Sequence, residues 1–189
     1  MCFKDTTANP APLGFFGLGF AATFLGLMAM GFFSDSIMVI AMSITLGGFA
    51  QLIAGLQLWK KGDTFGATAF TAFALWWFSF AYILLTTSVG LFGAVVETDP
   101  SFAASLGWYL LFWGIIATLL TIVTLKIGVK SIILTFVFLD LTFFANSAVN
   151  FGINLGILTG IITLILGLAS LYTGIAIVMD EVGGIKIPY

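Results

Sequence analysis

Six long apolar runs constrain the fold of this chain more than any other feature. A helix needs about 20 apolar residues to cross the hydrocarbon core of a bilayer, and the sequence offers that length six times. Only 7% of the 189 residues are charged, whereas about a quarter are charged in a soluble domain. The runs lack the alternation of polar and apolar residues that barrel strands need. The predicted helices of this all-α membrane domain, residues 1–189, lie near 13–33, 37–59, 64–87, 105–125, 130–149 and 153–179.

The charged residues between the runs predict the orientation in the membrane. All six basic residues are lysines, and they fall on one side of the predicted bundle: Lys4, Lys60, Lys61, Lys126, Lys130 and Lys186. The connections on the other side carry Asp35, Glu97 and Asp99 and no lysine. Because cytoplasmic loops are enriched in lysine and arginine, we predict a multi-pass protein of the cytoplasmic membrane with both termini in the cytoplasm.

The segments outside the runs are short, apart from the connection at residues 88–104. We expect this connection to face outside, with room for a short interfacial helix. Residues 1–7 include both Lys4 and Asp5 and lead into an apolar run too long for the core of a signal peptide, so we expect no cleaved targeting segment. The single cysteine, Cys2, permits no internal disulfide bond.

Small residues form a stripe along the sixth run. They recur at spacings of three and four residues, as one face of a helix requires: Gly152, Gly156, Gly160, Thr163, Gly167, Ser170 and Gly174. Small residues let helix backbones approach closely in lipid, where apolar burial gives no driving force between helices. We predict that this stripe packs against another helix of the bundle.

The composition argues against an enzyme. The chain has no histidine and only one cysteine, and it contains no phosphate-binding or dinucleotide-binding glycine motif. Neither a histidine–cysteine cluster nor a carboxylate-rich loop is present to hold a metal ion. No basic run is available for nucleic acid. We expect no catalytic residues, no cofactor, no metal and no nucleic-acid partner.

The polar residues ahead of the first run predict how its helix begins. Proline fits the first turn of a helix, where its missing N–H costs nothing, so a helix should begin near Pro12. The Asn9 side chain, next to Pro10, can accept hydrogen bonds from the free N–H groups of that turn. One interpretation is a plain cap at the membrane entry. The other is a helix N-terminus that attracts an anion such as a carboxylate.

Two motifs in this chain resemble those of one transporter family. Residues 9–14, N-P-A-P-L-G, resemble a motif of the acetate uptake transporter (AceTr) family, the succinate–acetate permeases. Residues 62–70 are similar to the family's G-N-T-F-G-x-T-A-F segment, with Asp63 in place of asparagine. The resemblance implies a homohexamer with a pore in each protomer. It also implies transport of acetate, succinate or a similar small carboxylate, by proton symport or by channel-like permeation.

The resemblance also implies an apolar constriction in each pore. The matching positions are Leu18, Phe73 and Leu141, on the first, third and fifth helices. Relatives often have an aromatic residue at the first of these positions and a tyrosine at the second, so the ring in this chain would be wholly apolar. Without the resemblance, the aromatic face that contains Phe70 and Phe73 would be typical of helix packing.

Uncharged polar side chains are the remaining candidates for contact with substrate. The chain has no arginine, and it has no lysine at membrane depth, so a carboxylate would be bound weakly. Hydroxyl and amide groups can replace a hydration shell one bond at a time, which favours passage over retention. The predicted substrate-binding and pore residues are Asn9, Pro10, Leu18, Gln51, Thr68, Phe70, Phe73, Leu141 and Ser170.

Asp140 is the one acidic residue near the middle of a predicted helix. Ionisable groups at membrane depth are costly and usually face a cavity or a partner. Asp140 is therefore a candidate for coupling transport to a proton. The other interpretation is structural, with a protonated Asp140 donating a hydrogen bond to a neighbouring helix.

Two further functions are compatible with the sequence. The chain could form a pore for small neutral solutes such as water or ammonia, whose flux would not respond to carboxylate concentration. It could also be a non-transporting membrane scaffold or sensor, in which the glycine stripes serve assembly alone. Carboxylate flux in liposomes distinguishes both from a carboxylate transporter.

Overall fold

The computed structural model describes residues 7–88 and 100–188. Within these residues, six helices are long and apolar enough to cross a membrane. They are α1 (Ala11–Ala29), α2 (Ile37–Lys61), α3 (Thr64–Ser88), α4 (Pro100–Ile127), α5 (Lys130–Asn150) and α6 (Leu158–Gly183). The predicted all-α membrane fold with six spanning helices is confirmed.

The starts of two helices differ from the prediction by five residues. Helix α4 begins at Pro100 rather than at 105, which suits a proline because the first turn needs no N–H from it. Helix α6 begins at Leu158 rather than at 153, and Gly152 and Gly156 have φ values of +92° and +54°. These two glycines therefore belong to the connection before α6, and their predicted place in its small-residue stripe is wrong.

Four residues named above lie outside the described part of the structure: Cys2, Lys4, Glu97 and Asp99. An interfacial helix predicted within 88–104 falls mostly on residues 89–99, which also lie outside the described part.

The helices form a ring around a central space. Each of α1, α2 and α3 packs on the next, as do α4, α5 and α6, and α6 returns to pack on α1. Side chains connect α3 to α4: the Phe73 ring lies 5.8 Å from the Trp113 ring, and Ser79 Oγ lies 2.5 Å from Tyr109 Oη. The ring arrangement places residues from all six helices around the bundle axis.

Glycines on α6 and α1 let these two helices pack closely. A Cβ atom on Gly167 would lie 2.6 Å from the backbone N of Thr23, and one on Gly160 would lie 2.8 Å from the backbone N of Met30. From the opposite side, a Cβ atom on Gly26 would lie 2.6 Å from the backbone N of Leu164. The predicted packing role of the α6 stripe is therefore confirmed for its helical residues.

Gly167→Ala should destabilise the bundle, because backbone rather than a flexible side chain blocks the added methyl group. Overpacking of this kind costs about 1–3 kcal/mol. The matched control is Gly183→Ala at the end of α6, where a Cβ atom would meet only Ile185 at 3.5 Å. Thermal unfolding in mild detergent measures both variants. Equal melting temperatures for the two would show that α1 and α6 do not pack at Gly167.

Helix α2 contains a feature that the sequence did not reveal. Residues Ser43–Ala50 form a π-helical segment between two α-helical parts. Gly47 and Gly48 lie in this segment, and Cβ atoms on them would lie 2.6 Å from the Trp77 ring and 2.4 Å from the Phe78 ring. The segment therefore brings α2 against the aromatic side chains of α3.

The described lysines lie at one end of the bundle, here called the lysine end. Lys60 and Lys61 end α2, Lys126 lies in the last turn of α4 and Lys130 begins α5. Lys186 follows α6 at the same end. The other end, here called the opposite end, contains Asp35 in the connection from α1 to α2.

Candidate functional site

The centre of the bundle contains two cavities, one toward each end. The lysine-end cavity has a volume of about 320 Å³, and the opposite-end cavity has a volume of about 100 Å³. The lining of the lysine-end cavity includes Phe15, Asp63, Ala69, Phe70 and Phe136. The lining of the opposite-end cavity includes Trp76, Trp77, Leu139, Thr142, Phe143 and Asn146.

An apolar cluster separates the two cavities. Leu18, Phe73 and Leu139 belong to it and are 4%, 2% and 3% exposed. The Phe73 ring lies 6.4 Å from the Phe136 ring, which lines the lysine-end cavity. It also lies 6.1 Å from the Phe143 ring, which lines the opposite-end cavity. Phe73 therefore stands between the cavities, where a constriction would lie.

Leu141 does not belong to this cluster, and its predicted place in a constriction of the protomer is wrong. It is 43% exposed on the outer face of α5, together with Leu134 and Phe144. The inward face of α5 instead carries Leu139 and Phe143. An α-helix turns by about 100° per residue, so Leu141 points about 200° away from Leu139.

Asn9 and Pro10 form the start of α1 as predicted. The Ala11 N–H donates to Asn9 Oδ1 at 3.0 Å, and the Leu13 N–H donates to the Pro10 carbonyl at 3.1 Å. The Asn9 Nδ2 group donates to Glu181 Oε1 at 2.6 Å. Because Asn9 already donates to a carboxylate, the cap interpretation accounts for its contacts without a bound substrate.

Phe70 and Thr68 lie on different faces of α3. Phe70 lines the lysine-end cavity, where its ring makes an edge contact with the Phe15 ring at a centroid distance of 5.2 Å. Thr68 is exposed and lines a groove on the outside of the protomer together with Trp59 and Thr71. Thr68 is therefore not part of the central cavities, and its predicted place in the pore is wrong.

Gln51 and Ser170 are buried but line neither cavity. The Ser170 hydroxyl donates to the Phe15 carbonyl at 2.7 Å and so links α6 to α1. Gln51 begins the α-helical part that follows the π-helical segment, and it is fully buried. Neither its Oε1 nor its Nε2 has a hydrogen-bond partner among the described residues. An unpaired buried polar group costs about 1–3 kcal/mol of folding free energy. The unpaired amide of Gln51 therefore destabilises the fold, and no contact among the described residues explains why it is buried.

Asp140 lies partly buried on α5, next to Thr121 of α4. It follows Leu139 in sequence but lines neither central cavity. Its Oδ1 has no hydrogen-bond partner within residues 7–88 and 100–188. Coupling of a proton through Asp140 stays a prediction, and any such coupling would act from beside the cavities.

Several residues that line the two central cavities were not predicted from the sequence. Trp76, Phe136, Leu139, Thr142 and Phe143 all line a cavity. On α5, Phe136, Leu139 and Phe143 lie at spacings of three and four residues, the period of one helix face, and Thr142 is adjacent to Phe143. That period was available in the sequence, but the outward face of α5 is apolar as well, so hydrophobicity did not distinguish the two.

Comparison with known proteins places this architecture in a family. The family model described as the GPR1/FUN34/yaaH family matches residues 2–184. The chain belongs to the GPR1/FUN34/yaaH family. The resemblance to acetate uptake transporters is confirmed by this match and by the relatives named below.

The GPR1/FUN34/yaaH family consists of transporters and channels rather than enzymes, and two similar proteins carry such names. The chain is 40% identical to the succinate-acetate/proton symporter SatP of Escherichia coli K12 over 178 residues, 92% of this chain and 90% of the relative. It superposes on the solved structure of the bacterial acetate channel SatP with a TM-score of 0.86. The identity in that comparison is 37%, and the superposition covers 96% of this chain and 98% of the other.

A yeast relative is named for a different solute, ammonia. The chain is 33% identical to ammonia transport outward protein 2 of Saccharomyces cerevisiae over 147 residues, 76% of this chain and 51% of the relative. Family membership alone therefore does not define one solute.

Proposed function

We propose that this protein transports acetate or a similar small carboxylate across the membrane, through a pathway inside each protomer. The observation that carries the proposal is the position of Phe73 between two central cavities, in a family whose similar members are named for acetate and succinate. Substrate would pass from one cavity to the other when the cluster around Phe73 opens.

The chemistry of the pathway favours weak, transient binding. Among the described residues, those that line the opposite-end cavity are all uncharged, and Asp63 is the only charged one that lines the lysine-end cavity. A hydrated inorganic ion gains nothing from an apolar constriction and is excluded by loss of water from it. A carboxylate with a methyl tail exposes less charged surface, so it loses less hydration free energy when it crosses the constriction.

Uptake of labelled acetate into liposomes that contain only this protein tests the proposal. Acetate should enter faster than in protein-free liposomes, and unlabelled acetate, succinate and other small acids should compete to different degrees. Absence of protein-dependent acetate uptake would overturn the proposal. It would favour a scaffold or sensor if no small solute crosses.

A pore for neutral solutes is the second candidate, because the yeast relative is named for ammonia transport. An apolar constriction also suits a neutral molecule, which has no charge to dehydrate. Ammonia entry into the same liposomes is measured by the internal pH change. Protein-dependent ammonia flux that does not respond to acetate would support this function instead.

We also propose a homohexamer with both termini in the cytoplasm. Helix α4 leaves a broad apolar surface on the outside of the protomer, including Trp108, Phe112 and Leu119, which supports contact with lipid or with other protomers. The segregation of lysines at one end supports the orientation. Mass measurement in mild detergent tests the assembly, and labelling of Cys2 from either side of intact membranes tests the orientation.

Asp140→Asn separates the two interpretations of Asp140. Asparagine preserves size and hydrogen bonding but does not titrate. If Asp140 couples transport to a proton, the variant should lose the dependence of acetate uptake on a pH gradient and keep its thermal stability. Uptake driven by the gradient at the wild-type rate would instead show that Asp140 is structural and that any coupled proton travels with the substrate.

A further inference from the structure

Three polar side chains around the opposite-end cavity lack hydrogen-bond partners. Trp76, Trp77 and Thr142 all line this cavity, and they are 5%, 2% and 6% exposed. The Nε1 atoms of both tryptophans and the Oγ1 atom of Thr142 have no partner among the described residues. Two helices, α3 and α5, thus bring three unpaired groups to one small cavity.

The hydroxyl of Thr142 differs from those of the other buried threonines. A threonine within a helix ordinarily donates to the carbonyl four residues earlier. The buried threonines that make this bond here are Thr121, Thr135, Thr163 and Thr173. Thr142 has the same helical setting but does not make the bond, so its hydroxyl is available to another acceptor.

The two indole groups are also available. A tryptophan N–H is a donor only, so it needs an acceptor from a ligand, water or another residue. The Trp76 ring is held by an edge contact with Trp77 at 4.6 Å, by stacking on Phe80 at 5.1 Å and by an edge contact with Phe143 at 5.0 Å. These contacts fix the ring without using its N–H group. Buried donors without acceptors are costly, which points to an acceptor that enters the cavity.

The size and charge of the cavity favour a small anion as this acceptor. With a volume of about 100 Å³, it is the smaller of the two central cavities. No charged side chain of the described part of the chain lines it, so neutral donors would act in a low-dielectric setting, where hydrogen bonds to a charged acceptor are strengthened. Succinate is larger than acetate and carries a second carboxylate, whereas the three unpaired donors suit a single carboxylate.

We propose that the opposite-end cavity is a binding site for a short monocarboxylate, with the indole N–H groups of Trp76 and Trp77 and the hydroxyl of Thr142 as donors to its carboxylate. The alkyl tail lies against the apolar lining that includes Leu139 and Phe143. The proposal rests on the proposed transport function, and it names the residues that select the substrate.

Nuclear magnetic resonance of indole groups tests this site directly. The chain has five tryptophans, and ¹⁵N-indole labelling in detergent micelles gives one signal for each. Addition of sodium acetate, but not of sodium chloride at equal ionic strength, should shift the signals of Trp76 and Trp77. The signals of the exposed Trp59 and Trp108 should not move. Trp76→Phe and Trp77→Phe assign the two signals by their loss.

A second measurement uses threonine variants and avoids changes to the large rings. Thr142→Val removes the free hydroxyl and should raise the acetate concentration for half-maximal uptake by about tenfold, the effect of one lost hydrogen bond to a charged group. Thr135→Val is the matched control on the same helix, because its hydroxyl already donates to the Ser131 carbonyl at 2.9 Å. The control should leave this concentration unchanged.

The outcomes distinguish this site from the proposed function. Acetate-specific shifts of the Trp76 and Trp77 signals support the site. If wild-type protein transports acetate but these signals do not move and Thr142→Val behaves like Thr135→Val, the site is wrong and the transport function stands. If wild-type protein shows no acetate flux and no indole signal responds to acetate, both proposals are overturned.

Discussion

Phe73→Ala is expected to increase succinate flux relative to acetate flux by about tenfold, which corresponds to a barrier about 1.4 kcal/mol lower for the larger substrate. The ring of Phe73 stands between the two central cavities and contacts Phe136 on one side and Phe143 on the other. Its removal joins the cavities and weakens the exclusion of water from the cluster. Acetate flux should also rise, but less, because acetate is smaller and needs less widening.

The same substitution removes a buried aromatic ring, so stability must be measured alongside flux. Phenylalanine to alanine in a core typically costs about 3–5 kcal/mol. Flux of each substrate is therefore divided by the amount of folded protein in the liposomes. Phe78→Ala is a matched control on the same helix, since Phe78 packs against Phe49 at 5.0 Å and lines neither central cavity. If Phe73→Ala and Phe78→Ala lose stability and keep the wild-type succinate-to-acetate ratio, Phe73 serves packing alone.

The large features of the fold could be predicted because they follow from the membrane itself. A bilayer sets the length of a spanning helix, so six apolar runs gave six helices. Close helix contacts in lipid need small residues, and Gly160 and Gly167 do face α1. The start of α1 was also predictable, because capping by Asn9 and the fit of Pro12 in a first turn depend only on local backbone chemistry.

The inward face of each helix could not be predicted in the same way. In a soluble protein, polar residues indicate the outer face of a helix, but a membrane helix is apolar toward lipid and toward the core alike. The motif that contains Thr68 did not show which face of α3 this residue lies on, and the structure places it on the outer face of the protomer. Leu141 was misplaced for the same reason, while Leu139 faces the cavity.

Polar residues inside the bundle were also hard to interpret from sequence. Ser170 looked available for substrate, but its hydroxyl donates to the Phe15 carbonyl. Thr142 was not predicted as a site residue, but its hydroxyl is unpaired among the described residues. Whether a buried hydroxyl is paired or unpaired depends on the distance to neighbouring helices, which is a property of tertiary packing. The π-helical segment Ser43–Ala50, which was not predicted, also packs closely against a neighbouring helix at Trp77 and Phe78.

The largest expected effect is complete block of acetate flux by chemical modification inside the opposite-end cavity. Asn146 lines this cavity, and its Nδ2 group donates to the Thr142 carbonyl at 2.8 Å. A cysteine at this position, in a chain whose only native cysteine is replaced by Cys2→Ser, carries a single reactive thiol. A bulky methanethiosulfonate group on it would exceed the free volume of the cavity. Leu141→Cys in the same background places the thiol on the outer face of α5 instead.

The measurement that tests a pathway inside the protomer most directly is acetate uptake as a function of the modified fraction, determined by mass spectrometry on the same liposomes. For Asn146→Cys, uptake should fall in proportion to modification and reach the protein-free rate when every protomer is modified. For Leu141→Cys, full modification should leave uptake at the unmodified rate. Unchanged uptake through fully modified Asn146→Cys protein would contradict a pathway through the protomer.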